Sequence, residues 1–166
     1  MKWDDMLQIQ REKIFVCLVG LPGSGKSTFC KKNLGGYTIV STDDIIEEAA
    51  QKAGKTYNEV FKDVIGDADK LARATFRQAI AEQVPRIAWD QTNVSAKKRM
   101  GILAQIPPDY HKIAVHFDVS LDILKERLVA REQQTGKRIA LAIVEDMMAR
   151  FEAPTIAEGF NEILLV

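Results

Sequence analysis

Ile14-Phe15-Val16-Cys17-Leu18-Val19-Gly20-Leu21-Pro22-Gly23-Ser24-Gly25-Lys26-Ser27-Thr28 is the stretch whose reading decides this chain. Ile14 to Val19 is an unbroken apolar run, the pattern of a strand buried on both faces of a parallel sheet. Gly20 then opens G-x-x-x-x-G-K-[ST] without a gap, closing on Gly25, Lys26 and Ser27. Strand, glycine-rich turn and helix start follow in the order a phosphate-binding loop needs. Gly20, Gly23 and Gly25 can take positive φ, which folds the backbone into a nest of N–H groups aimed at one anion. The helix expected from Lys26 adds its own unpaired N–H groups and positive dipole end. Lys26 supplies a point charge for β- and γ-phosphates, and the Ser27 hydroxyl is suited to ligate Mg²⁺.

Working outward, 166 residues fit one domain over 1–166, long enough to bury roughly 70% of the surface of its unfolded form. A formal net charge of zero means that no global field draws the chain to nucleic acid or anionic lipid, so any polyanion site is a local patch. No apolar run approaches the roughly 20 residues of a membrane span, and Met1 to Gln10 is too polar and acidic for a signal peptide. Cys17 in the buried strand and Cys30 on the next helix suggest reduced thiols in a cytoplasmic-type compartment, not a secreted protein. Met1 to Lys13 reads as a polar lead-in.

Downstream, strands and helices alternate. The first helix runs to about Lys32, and Tyr37 to Val40 is the second strand. Ser41 or Thr42 caps a helix carrying Ile45, Ile46 and Ala49. Lys52 to Tyr57 is a polar turn. From Asn58 the apolar positions recur at helical spacing through Ile80, and Gly66 is expected to break or kink that helix before Pro85 ends it. Arg73 and Arg77 share one face of it, read as solvated. Arg86 to Trp89 is a third strand closing on Asp90, followed by Gln91-Thr92-Asn93-Val94-Ser95 and a helix from Ala96 to Gln105. Lys97, Lys98 and Arg99 read by default as a solvated run. Ile113 to Phe117 is the fourth strand, Leu121 to about Gln133 a helix, Ala140 to Phe151 the last helix with Met147 and Met148 in its buried stripe, and Ile163 to Val166 the last strand. His111 and His116 have no partners at metal-ligand spacing and read as structural. The fold class is therefore α/β: a P-loop NTPase-type parallel sheet with helices on both faces and a helical lid.

Several polar residues are candidates for chemistry. Asp43 stands where a parallel strand ends, the side on which such sheets bind ligands. It could take the proton of an acceptor hydroxyl, or simply favour a helix N-terminus. Asp90 ends another strand, where a carboxylate can hold Mg²⁺ through water or orient an acceptor. Arg127 and Arg131 lie one turn apart on one helix face, ahead of the basic connection Thr135-Gly136-Lys137-Arg138. That connection reads as flexible and as part of a lid over about 127–140, although surface salt bridging would also account for its charge.

Read together, these stretches resemble the kinase domain of the polynucleotide 5′-hydroxyl kinases, the bacteriophage and mammalian end-healing enzymes. The likeness spans about Ile14 to Val166. It rests on Gly20 to Thr28, Asp43, Asp90 with Thr92-Asn93, Arg127 with Arg131, and Phe151-Glu152-Ala153-Pro154-Thr155 with Glu158-Gly159-Phe160. The resemblance implies an ATP-dependent phosphotransferase (ATP or another nucleoside triphosphate, with Mg²⁺) acting on a 5′-hydroxyl end of DNA or RNA. It implies Asp43 as general base, and Lys26 and Arg131 as the cations on the γ-phosphate. ATP is then held by Gly20, Pro22, Gly23, Ser24, Gly25, Lys26, Ser27, Thr28 and Arg127, with Ser27 on the metal. Asp43, Asp90 and Asn93 face the acceptor. A nuclear compartment or the cytoplasm of a phage-infected cell would suit such an enzyme.

Two departures stand out. The bacteriophage enzyme carries an Arg three residues after its base, where this chain has Ile46, and Asp44 adds a second carboxylate beside the first. No phosphatase domain is present in these 166 residues; if the full protein is this short, the expectation is phosphate addition alone. Asp90 to Ala96 is also similar to the nucleotide-binding-like domain of heterogeneous nuclear ribonucleoprotein U, an RNA-associated scaffold. That domain lacks a strand-end Asp at the position of Asp43. A small-molecule kinase of the same fold and a non-catalytic nucleotide- or RNA-binding module therefore stay open as alternatives.

Overall fold

β1 (Ile14–Val19) is buried along its whole length, because a parallel strand runs on each side of it and helices cover each face. The computed structural model describes Trp3 and residues 13–166; the rest of the expected lead-in lies outside the described residues. β1 pairs with β3 (Arg86–Asp90) and β4 (His111–His116), while β2 (Thr38–Val40) and β5 (Glu162–Leu165) form the edges. The order is β2-β3-β1-β4-β5, and every pairing is parallel. Leu18 lies opposite Asp90 and Val19 opposite His116, so the carboxyl ends of the three central strands finish level.

Strand alternation sends the side chains of β1 to two cores. Phe15, Cys17 and Val19 join Val40, Ile87 and Trp89 against Ala72, Phe76 and Ala79 of α3 (Tyr57–Ala81) and Ile102 and Leu103 of α4 (Ala96–Leu103). On the opposite face Ile14, Val16 and Leu18 join Ile113, Val115 and Leu34, packed by Phe29 of α1 (Lys26–Asn33). Trp3 meets Phe29 edge-on at 4.9 Å between ring centroids, and Phe29 meets Phe117 in the same way at 5.5 Å. Three more helices complete the α/β architecture: α2 (Thr42–Ala53), α5 (Leu121–Thr135) and α6 (Leu141–Ala149).

The expected break at Gly66 does not occur, and α3 is one helix of 25 residues. A mid-helix glycine costs about 1 kcal/mol relative to alanine, which is small beside what holds this helix. Thr56 and Glu59 form a complete capping box at its start, and a buried stripe of Val60, Ala68, Ala72, Phe76 and Ala79 continues past the glycine. Nor does Pro85 end α3. It stops at Ala81, and the chain turns through Gln83 in the left-handed region at φ 55°.

Candidate active site

The phosphate loop sits between β1 and α1. Gly23 and Gly25 take φ 82° and 105°, so both use the conformational freedom that the motif reserves for them. Gly20 is needed for space: a Cβ there would lie 2.6 Å from Ser24 Oγ and 2.9 Å from Phe117 Cβ. Its N–H donates to Thr92 O at 3.0 Å, tying the loop to the segment after β3. Pro22, Gly23, Ser24, Gly25, Lys26, Ser27 and Thr28 all line one cavity of roughly 1160 Å³. The Lys26 ammonium donates to Gly20 O (2.8 Å) and Leu21 O (3.0 Å), so it curls over the loop it serves. Burial pushes the Lys26 amine down to about 8, although Asp90 and Asp43 pull the other way.

Asp43 lies in the first turn of α2, whose cap is Ser41 accepting from Asp44 N at 3.2 Å. It thus sits where a carboxylate favours a helix start, and it also lines the cavity. Its two oxygens have separate donors. The Tyr57 hydroxyl donates to Oδ1 at 2.7 Å and the Lys137 ammonium to Oδ2 at 2.9 Å. Burial works to raise this carboxyl, but Lys137, the Tyr57 hydroxyl and Arg131 outweigh it and hold the group below its ordinary value. Asp90 shares the cavity and is almost enclosed. Burial raises its carboxyl to about 6 against the pull of Lys26, and the Cys30 thiol points at its Oδ2 from 3.8 Å. Both cysteines are free thiols.

α5 packs Leu124 and Leu128 with Leu21 and Val144 into a small core, which seats the helix on the phosphate loop. From there Arg127 Nη1 donates to Gly23 O and Ser24 O, each at 3.2 Å. Arg131 also lines the cavity, with its guanidinium 3.6 Å from Glu47. The segment after α5, expected to be flexible, is docked instead. Gly136 ends the helix at φ 71°, Asn58 exchanges two hydrogen bonds with the Arg138 backbone (2.9 and 2.8 Å), and Lys137 is buried.

Asn93 is a correction to the expected acceptor set. It is fully buried at φ 51°, and its amide donates to Leu18 O at 2.7 Å and to Gln91 O. It braces β1 against the loop after β3 and does not line the cavity. Arg99 is a second correction, since it is no solvated cation. Completely enclosed, it forks onto Glu158 with two bonds of 2.7 Å and donates to Asn93 O at 2.8 Å. Glu152 caps α4 by accepting from Ala96 N at 2.8 Å, and Phe160 enters the core. The Phe151 to Phe160 stretch is thus a clamp on the loop behind Asp90. His111 faces Glu162 at 3.4 Å and His116 stacks on Phe151, so both have packing partners. Arg73 and Arg77 are exposed, with Arg73 bonded to Asp69.

Sequence reasoning passed over Tyr57, Glu47 and, as an individual residue, Lys137. Their partnerships with Asp43 join parts of the chain that are remote in sequence, so no local spacing marks them.

The residues present fit a nucleoside triphosphate with Mg²⁺. The loop is a cradle that a Cβ at Gly20 would fill, and Ser27 and Asp90 share a recess of about 150 Å³ as hard oxygen donors. Among the described residues no group of three or more His, Cys, Asp or Glu could hold a metal ion. Mg²⁺ is commonly bound in this sparse way, by one or two protein oxygens completed by substrate phosphates and water. When bound, it neutralises charge on the phosphate oxygens. Among the described residues no helix is long and apolar enough to cross a membrane.

A parallel sheet carrying this loop defines a P-loop kinase-like domain. The chain belongs to the AAA domain family AAA_33, whose model matches residues 15–154. It is 27% identical to uridylate kinase of Saccharomyces cerevisiae over 74% of this chain and 64% of that protein. Against transcription factor bHLH140 of Arabidopsis thaliana it is 23% identical over 92% of this chain. The chain thus spans less than two thirds of either relative, and only 16% of the plant protein. Among solved structures, a chain of the Pnkp1/Rnl/Hen1 RNA repair complex aligns at TM-score 0.63 and 24% identity, over 86% of this chain and 45% of that one. At that identity the likeness speaks for the fold.

Proposed function

We propose that this chain is an ATP-dependent kinase that phosphorylates the 5′-hydroxyl end of DNA or RNA. The observation that carries the reading is convergence: Asp43, Lys26 and Arg131 open on one cavity, with the phosphate loop forming one side of it. In this reading Asp43 takes the proton of the acceptor hydroxyl as that oxygen bonds to the γ-phosphorus. The bond from the γ-phosphorus to the β–γ bridging oxygen breaks, and ADP leaves with the electron pair. Lys26 and Arg131 offset the charge spread over the transferring group, and Arg127 steadies the loop through the Gly23 and Ser24 carbonyls. Asp90 orients the acceptor side, Ser27 ligates Mg²⁺, and residues 127–140 act as the lid. The likeness to a chain of an RNA repair complex supports a nucleic-acid end as acceptor.

A second reading, a small hydroxylated metabolite as acceptor, is favoured by one observation. Asp43, Asp44, Glu47 and Asp69 all line the acceptor side, which suits a neutral molecule better than a polyanion. The test is transfer of label from γ-labelled ATP to a 5′-hydroxyl oligonucleotide. Turnover that loses affinity steeply with added salt supports the first reading, and a flat response or no transfer to the oligonucleotide favours the second. ATP binding without turnover on any hydroxyl would leave a scaffold. Asp43→Asn should lower the transfer rate by roughly 10²-fold or more; a loss of less than about tenfold would remove Asp43 from the role of base.

A further inference from the structure

We propose that Lys137 is the positioning residue of the acceptor side: together with Tyr57 it fixes the Asp43 carboxylate in the orientation that receives the acceptor's proton. This rests on the reading of Asp43 as base.

The contrast in exposure is the first observation. Asp43 is 55% exposed, facing the cavity, while the lysine that pairs with it is 3% exposed. Lys137 is therefore enclosed behind the carboxylate and does not itself meet an acceptor. Its ammonium lies 2.9 Å from Asp43 Oδ2, 3.3 Å from Glu47 Oε1 and 3.9 Å from the centroid of the Tyr57 ring. A lysine is rarely buried this far without a full set of compensating partners, and two carboxylates with an aromatic face provide them. With one donor fixed on each Asp43 oxygen, the carboxylate cannot rotate freely, yet each oxygen keeps a lone pair for a hydroxyl arriving from the cavity.

The second observation is where Lys137 comes from. It stands just after α5, the helix that carries Arg127 and Arg131, and Asn58 pins the same segment to the start of α3. Glu47 accepts from Lys137 and also faces Arg131 at 3.6 Å. Docking of one segment therefore brings a guanidinium to the donor side and orients the base on the acceptor side. The buried Ile46, next to Glu47 on α2, contributes no charge here. The cation beside the base arrives from the far end of the chain.

The charged and titratable groups around Asp43 are Lys137, Arg131 and Tyr57, with Asp44 and Glu47 on its own helix and Lys26 and Asp90 across the cavity. The test is the pH dependence of kcat in Lys137→Met and Lys137→Arg. Without the ammonium Asp43 protonates more readily, so the acid limb of the profile should move to higher pH. For Lys137→Met, kcat should fall about tenfold while KM for ATP stays within about twofold. Lys137→Arg should return the limb and most of kcat. Tyr57→Phe keeps the ring beneath the ammonium but removes the other donor, and should move the limb in the same direction by less; it carries the test if Lys137→Met does not fold. An unmoved acid limb in the folded variants, with kcat within about twofold of wild type, overturns the proposal. Failure of the base reading looks different: Asp43→Asn itself stays active, whatever the Lys137 variants do.

Discussion

The two walls of the cavity differ in charge. α1 and α5 bring Lys26, Lys31, Lys32, Arg127 and Arg131 to one side, whereas α2 and α3 bring Asp43, Asp44, Glu47 and Asp69 to the other, and Asp90 at the end of β3 stands beside Lys26. A formal net charge of zero conceals this division entirely. The first wall suits a triphosphate, and the second suits a hydroxyl that must lose a proton. If the acceptor is a nucleic acid, only its terminus belongs against the acidic wall, and the remaining phosphodiesters lie outside it.

The strongest way to break the contrast is Arg131→Ala. Removing one preorganised cation from the transferring phosphoryl should lower kcat by roughly 10²- to 10³-fold with ATP affinity largely kept; equilibrium binding beside single-turnover kinetics checks it, and a loss confined to affinity would move Arg131 out of the transfer step. A second test uses pH on the cationic wall. Burial pushes the Lys26 amine down to about 8 from its ordinary 10.5. Below that pH it carries the charge that binds phosphate, and above it binding must take up a proton. ATP affinity should therefore weaken about tenfold per pH unit above 8, with proton uptake visible by calorimetry in buffers of different ionisation enthalpy. Lys26→Met should flatten that response. The smallest effect belongs to the acidic wall. Asp44→Asn should lower KM for an oligonucleotide acceptor about threefold and leave that for a neutral acceptor unchanged, so steady-state kinetics on both acceptors sharpens the choice between them.

What could be read from the sequence depended on how far apart the cooperating residues lie. The strand from Ile14 to Val19 and the loop to Thr28 are contiguous, so an apolar run and a spacing were enough to recognise them. All five strands were recognisable for the same reason, with ends off by a residue or two. Gly66 misled because a local propensity of about 1 kcal/mol was set against a buried stripe whose depth only the tertiary structure reveals. Arg99 looked like its neighbours Lys97 and Lys98, and nothing nearby announces Glu158, which is 59 residues away. Lys137 and Asp43 are separated by 94 residues, so Asp43 stood out as a candidate at a strand end while the cation behind it did not. Asn93 misled in the opposite way: the resemblance put it on the acceptor, whereas its amide is bonded to the Leu18 and Gln91 carbonyls.

The central position of β1 has a further consequence for how the protein comes into being. The most apolar strand is made first, yet its two neighbours, β3 and β4, are made only after most of the helical layer. Until Arg86 to Asp90 and then His111 to His116 leave the ribosome, both hydrogen-bonding edges of Ile14 to Val19 lack their native partners. Such long-range parallel pairing is slow, and the nascent chain is exposed to aggregation throughout that wait. Yield of soluble protein should therefore respond to chaperone supply and growth temperature more sharply than the stability of the finished fold suggests.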